Sequence, residues 1–427
     1  MSSNVTIGEE ALNKRAEERF VRKTARISAK YLRSVREMNN VPEAMAPFWN
    51  VLEDVYVNNK KIFEESALKT VGTYCVMVPE ELVYAAGGKP VRICSGNHVA
   101  LQLGEEILPK DACPLVKAAA GSIMPNSMAY LGDCRYSVIP VTCDCKRKLV
   151  DKLREFHSVH SMRIPSASQD DGSIEEYVTE LYKLKDYLEE NLGEKITYKK
   201  LYDAIGETYA TALETERFFR LKSRFPSVIH GIHSIMLFNA YTYMRPEEWR
   251  GHLSVLNDEL EKRIDSGVSA ARKNTPRIML TGSPMIFPNV KIPYIIESSG
   301  GVVVADETCI GERGYSDVPV INDCSMDGLM HALAVKAIRP CTCPVFVDTD
   351  KRLYRIKKLI ERNQVDGVIY HVLRGCLVYD YEYQRIEDML ESMGVKVLRV
   401  ETDYSEEDVE QLKIRLEAFL EVIKFSK

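Results

Sequence analysis

"TVGTYCVMVPEELVYAAGGKPVRICS", residues 70–95, decides the fold. A short apolar run ends near Pro79, a helix-forming "EELVYA" follows, two glycines stop it, and a second apolar run, "KPVRIC", begins. Strand, helix and strand in so short a space is the pattern of a parallel sheet covered by helices, since parallel strands need a crossover between them. The alternation recurs in "YSVIPVT" followed by "CDCKRKLVDKLREF", and again after Pro276 in "RIMLTGS", "GVVVADET", "DGVIYHVLR" and "VKVLRVET", with helical segments between them.

Outward from these runs the texture changes. Residues 9–66 are rich in Glu, Lys, Arg and Ala, with Leu12, Ala16, Phe20 and Val21 at helical spacing, which predicts exposed amphipathic helices. Residues 173–272 read as long charged helices such as "SIEEYVTELYKLKDYLEENLG". The expected fold class is therefore α/β, with two doubly wound, parallel-sheet (Rossmann-like) domains, an N-terminal helical cap and an inserted helical region. The boundaries expected are 1–66 for the cap, 67–172 for the first α/β domain, 173–275 for the helical region and 276–427 for the second α/β domain.

Composition narrows the functional classes. With 427 residues, 45% hydrophobic and 28% charged, the chain has the balance of a soluble globular protein of more than one domain. No apolar run approaches a membrane span, and the first twenty residues lack the apolar core of a secretory signal, so a cytoplasmic location is expected. A net charge of -5, with Lys and Arg interleaved among Asp and Glu, argues against nucleic acid and membrane surfaces as partners. No G-x-x-x-x-G-K-[ST], G-x-G-x-x-G or G-x-S-x-G motif is present, so the usual devices for ATP, dinucleotides and serine hydrolysis are missing.

The eleven cysteines stand out. All lie between Cys75 and Cys145 or between Cys309 and Cys376. An odd number in a reducing compartment makes a disulfide framework a poor reading, and there is no C-x-x-C of the zinc-binding kind. Cys75, Cys143, Cys309 and Cys376 fall at or just beyond expected strand ends, where open parallel sheets bind ligands, so thiols from both domains are placed to converge. Such a set suits an iron–sulfur cluster, a larger body than a single ion. The segment "RPCTCPVF", residues 339–346, adds Cys341 and Cys343 one residue apart, and Cys113 and Cys343 both precede a stiffening proline. Cys94, Cys134 and Cys324 read as small hydrophobes. For Cys145, two residues after Cys143, ligand and non-ligand readings stay open. His230 and His233 lack a nearby cysteine, and His371 falls mid-strand as a packed residue instead of a base for Cys376.

Four stretches carry a family likeness: "GTYCVMVPEELVYAAGGKPVRIC" (72–94), "LPKDACPLVKAAAG" (108–121), "VTCDCKRKL" (141–149) and "QVDGVIYHVLRGCLVYDYE" (364–382), with "ETDYS" (401–405) beyond. They resemble the 2-hydroxyglutaryl-CoA dehydratase D-component family, which includes subunits of 2-hydroxyacyl-CoA dehydratases and of benzoyl-CoA reductases. The resemblance implies one four-iron cubane held by Cys113, Cys143 and Cys376. The extra thiols make the chain look like the double-cubane branch, in which six cysteines hold two bridged four-iron cubanes. That likeness implies a second ligand set of Cys75, Cys341 and Cys343, with Cys309 in reserve. It further implies a homodimer, a separate ATPase activator carrying its own iron–sulfur cluster and using the ATP, and reduction of a small-molecule substrate at the cluster. The alternative is a 2-hydroxyacyl-CoA dehydratase subunit with a single cubane, in which one electron forms a ketyl radical and water is eliminated. A third reading, from another class, is an electron carrier or a zinc-stabilised scaffold.

Overall fold

The computed structural model describes residues 7–61, 68–124, 127–131, 134–155, 157–315 and 317–426, with side chains from residue 14 onward. The expected boundary at 66/67 and the side chain of Leu12 lie outside the described residues.

Eight strands form two four-stranded, wholly parallel sheets. In the first, β1 (Lys69–Thr73), β2 (Gly88–Arg92), β3 (Tyr136–Val141) and β4 (Ser158–Arg163) lie in the order β2-β1-β3-β4. In the second, β5 (Arg277–Gly282), β6 (Val302–Glu307), β7 (Gly367–Leu373) and β8 (Lys396–Thr402) lie in the order β6-β5-β7-β8. Every residue of β5, β6 and β7 is buried, as expected for strands covered on both faces. In each sheet the chain runs one way from the first strand and then returns to its other side. This leaves a topological switch point at the carboxyl ends of β1 and β3, and another at those of β5 and β7.

The cap is part of the main core. Helix Ile7–Arg36, which contacts the helices Ala46–Tyr56 and His98–Gly104, buries Phe20, Tyr31, Leu32 and Val35, whereas Ala16 is exposed. Phe48 on Ala46–Tyr56 meets Trp249 edge to face, and Tyr56 meets Phe287 likewise.

The helical region holds Asp171–Leu192, Tyr198–Lys222, Gly231–Tyr241 and Pro246–Asp265. Three are long and charged on their outer faces, but all of Gly231–Tyr241 is buried. Its first residue lies so close to β6 that a Cβ there would sit 2.1 Å from the Val303 carbonyl oxygen, so only glycine fits.

The last link crosses between sheets. Helix Met326–Ile338, which follows β6 in sequence, packs against Asp171–Leu192. Leu329, Leu333 and Ile338 join Val71 of β1 and Val138 of β3 in one core cluster, together with Cys341 and Phe346. The C-T-C segment therefore sits against the first sheet although its neighbours in sequence build the second. No described helix is long and apolar enough to cross a membrane.

Candidate metal centre

Strand ends deliver the thiols. Cys75, Cys94, Cys143 and Cys309 each lie two residues beyond β1, β2, β3 and β6, and Cys376 lies three beyond β7. Three of the expected ligands are helix N-caps: Cys113 before Pro114–Ile123, Cys143 before Asp144–Leu153 and Cys376 before Leu377–Ser392. The free N–H groups and dipole of a first helical turn favour a thiolate over a thiol. The first-turn N–H groups of Leu115 and Val116 act in this way on Cys113, that of Lys146 on Cys143, and those of Val378 and Tyr379 on Cys376.

Cys113 and Cys376 come together across the two sheets. They share a hydrogen bond that, reinforced by burial, pushes the Cys113 thiol well up, and that brings Cys376 down to about 7 against the opposing effect of burial. Gly375 allows the approach: its φ is 76°, and a Cβ there would stand 2.9 Å from the carbonyl oxygen of Asp111, two residues before Cys113. Cys143 feels Cys376, and burial raises it.

The second expected set gathers beside the first. Burial, then mutual repulsion with Cys343, pushes Cys341 up, and burial raises Cys343 as well. Cys75 faces both. It is also one of four described non-glycine residues with positive φ, at 76°, a strained backbone of the kind found at functional sites. Cys309 lies near Cys75 and Cys94 and is pushed up to about 12 by burial. Both candidates for the third position of this set are thus in the same neighbourhood.

Sequence reasoning missed the cations and hydroxyls around the thiols. Lys146 donates to Thr142 Oγ1 at 2.7 Å and lies over the Tyr74 ring; burial would lower its ammonium, but Cys75, Cys143, Cys343 and Cys94 hold it above its ordinary value. Burial would likewise lower Arg92, and Tyr315, Cys94, Cys309 and Cys75 together raise it. Arg313 is buried, with Nη1 donating to the Thr342 carbonyl at 3.2 Å and Nη2 to the Tyr379 hydroxyl at 2.7 Å. It thereby joins the Cys309 loop, the C-T-C segment and the Cys376 helix. Three cations facing a thiol cluster, Arg313 buried and the other two half-buried, suit a group that needs many thiolates, because each deprotonated sulfur requires compensation in a low-dielectric site. Lys146 and Arg313 lay within the readable strings "CDCKRK" and "ETCIGERG", but no spacing rule marks them.

Thr342, between the two thiols, is held at both polar groups. Its Oγ1 donates to Glu307 at 2.9 Å and its carbonyl accepts from Arg352 at 3.0 Å. Burial alone would push the Glu307 carboxyl up, but Arg352 and Arg313 hold it below the usual range.

The remaining residues fall elsewhere. Cys134 is buried at the opposite end of β3, its thiol donating to the Tyr136 carbonyl at 3.3 Å. Cys324 is exposed, against the expectation of a small buried hydrophobe, because the segment before Met326–Ile338 runs over the surface. Cys94 is buried as expected, yet among the candidate ligands. Cys145 is half-buried beside Cys143. His230 and His233 pair with the carbonyls of Asn39 and Val35, and His371 with that of Ser283. Among the described residues no three His, Cys, Asp or Glu side chains close tightly enough to hold a single metal ion. The donor set is soft sulfur with cationic compensation, and that chemistry fits a cluster of iron and sulfide.

The family model described as 2-hydroxyglutaryl-CoA dehydratase, D-component, matches residues 75–423. The chain is 29% identical over 363 residues to YjiM of Escherichia coli (strain K12), named as a dehydratase subunit, with 84% of this chain and 93% of that one covered. It is 24% identical over 389 residues to the (R)-phenyllactyl-CoA dehydratase beta subunit of Clostridium sporogenes, with 88% and 98% covered. It is 24% identical over 318 residues to one of the subunits of benzoyl-CoA reductase from Thauera aromatica, with 72% and 78% covered.

Proposed function

The chain belongs to the 2-hydroxyglutaryl-CoA dehydratase D-component family, and from that premise we propose that it is the iron–sulfur component of an ATP-dependent reductase. An enzymatic role follows from relatives that are dehydratase and reductase subunits. In the finer reading, Cys113, Cys143 and Cys376 hold one four-iron cubane, and Cys75, Cys341 and Cys343, with Cys309 in reserve, hold a second bridged to it. The clusters supply electron storage at low potential. The polypeptide places the thiolates, supplies compensating charge through Lys146, Arg92 and Arg313, and encloses the site. A homodimer and a separate ATPase activator with its own iron–sulfur cluster complete the proposal; the activator would spend the ATP, and a small molecule would be reduced.

The observation that carries this reading is the convergence of the C-T-C pair on Cys75, beside the Cys113–Cys376 contact. A single-cubane dehydratase subunit needs only the second of these; the likeness to the phenyllactyl-CoA dehydratase subunit favours it as the alternative. Anaerobic purification with iron and acid-labile sulfide counting tests the choice. About eight irons per chain is expected, and about four would turn the assignment to the dehydratase. Zinc without iron would remove both readings. Cys341→Ala with Cys343→Ala is expected to halve the iron and leave the remaining cubane in place.

A further inference from the structure

Among the described residues one cleft reaches the thiols. Cys75 and Cys341 line it with Arg92, Arg313 and Tyr315, and it has about 100 Å3 of room for water-sized molecules. One wall is helix Tyr198–Lys222 and another is helix Met326–Ile338, the segment that crosses between sheets.

The hydroxyls of the helix wall are satisfied within the lining, whereas Arg92 Nε and Nη1 and the Tyr315 hydroxyl have no partner among the described residues. The hydroxyl of Thr208 donates to Glu81, that of Thr211 to the Glu207 carbonyl, and that of Thr215 to the Thr211 carbonyl. Lys336 is paired with Glu81 at 2.5 Å and Arg313 with Glu307 at 3.7 Å. Glu80 differs. It is half-buried in the cleft, accepts a hydrogen bond from the Tyr241 hydroxyl at 2.6 Å and forms no ion pair among the described residues. Facing it are Glu81 from its own helix, Lys336, Lys89 of β2, Tyr84 and Tyr241. Burial, and then the neighbouring Glu81 carboxylate, push the Glu80 carboxyl up, while Lys336 and Lys89 oppose them. Two adjacent carboxyls with one dedicated ammonium leave a place for a proton.

We propose that this cleft admits a small substrate to the thiol cluster, and that Glu80 is the residue that hands protons to it. The inference rests on the reductase reading above. The substrate class is a small molecule whose multiple or heteroatom bond takes up two electrons and two protons. The electron pair comes from the low-potential iron–sulfur centre. One proton leaves the Glu80 carboxyl, which regains it from water through the cleft mouth, and the second follows by the same route.

Ala212 and Ala337 line the cleft from its two helices and are half-exposed, so added bulk there narrows the passage without filling the core. Ala212→Trp with Ala337→Trp, backed by the milder Ala212→Leu with Ala337→Leu, is compared with the parent as anaerobically purified full-length protein, with dioxygen as the small neutral probe. Iron content and visible spectrum are expected to stay as in the parent, while bleaching by dioxygen slows several-fold. Bleaching at the parent rate, with the spectrum intact, overturns the cleft as the route. If the protein carries no iron, the reductase reading falls. The cleft is then tested by N-ethylmaleimide, which should reach Cys75 and Cys341 in the parent but not in the narrowed variant. Exposed Cys324 and buried Cys134 report labelling and folding in the same chain. For Glu80, infrared spectra at neutral pH should contain a protonated-carboxyl band that is absent from Glu80→Gln. That band should shift in D2O more slowly when the cleft is narrowed. A parent protein without the band has no proton to give there, and the role fails.

Discussion

Thr342 has a thiol on either side, and the neighbours that fix it come from three other segments: Glu307 at the end of β6, Arg313 in the next turn and Arg352 on the helix Asp350–Asn363. Arg352 also pairs with Glu382 at 2.9 Å. These charges are buried, so they depend on one another. Arg352→Met would leave two carboxylates in the interior with too little compensation, at a cost of about 3–5 kcal/mol. Urea unfolding should report that loss, and iron counting should show depletion greater than in Lys358→Met, an exposed control on the same helix. At this scale the thiols were legible, because cysteine spacing and strand position are local signals. The clamp was not, because Glu307 and Arg352 stand 35 and 10 residues from Thr342 and match no motif. Cys324 was misread for a related reason: the apolar habit of free cysteine is an average, and a lone surface position escapes it.

Among elements, strands and helix starts share the work. Each strand of the first three in the first sheet hands a thiol to the turn beyond it, and helix N-termini then face three of the six assigned ligands. This arrangement was readable from alternation alone, since strand ends and helix starts follow from hydrophobic period and turn residues. What alternation could not give was the buried helix Gly231–Tyr241, whose role depends on the approach of its first glycine to β6. Element β7 carries a pH signature. His371 is buried at its centre, and burial lowers its imidazole to about 4 from an ordinary 6.5, with the Ser283 carbonyl opposing. Between those values the unfolded chain binds more protons than the folded one. The stability this residue permits is therefore complete above about pH 6.5 and lost as pH falls toward 4, up to about 3 kcal/mol. Urea midpoints measured across that window should fall, and His371→Asn should flatten part of the slope. His233, lowered to about 3 by burial and by His230, supplies the rest in the same direction.

In the whole molecule the proposed ligands come from both sheets, so on that assignment metal occupancy and the relation between the sheets would be one variable. Stripping iron with a chelator is expected to lower the thermal midpoint. Hydrogen exchange should quicken in the turns after β3 and β7 and around residues 341–343, while Pro246–Asp265, remote from the thiols, keeps its protection. Faster exchange spread evenly over the chain would count against a shared centre. The two parallel sheets were legible because each is built from its own run of alternating segments. The seating of Met326–Ile338 against the first sheet was not, since an amphipathic helix does not say which of two apolar faces it will cover.

That crossing helix acts as a buckle. The chain leaves the second sheet, fastens Leu329, Leu333 and Ile338 into the core of the first, and returns by way of Asp350–Asn363 to lay down β7. A break in the gene anywhere between the sheets would give one fragment missing the cover of its core and another trailing an apolar helix with nothing to cover. The two halves are thus tied into a single heritable unit.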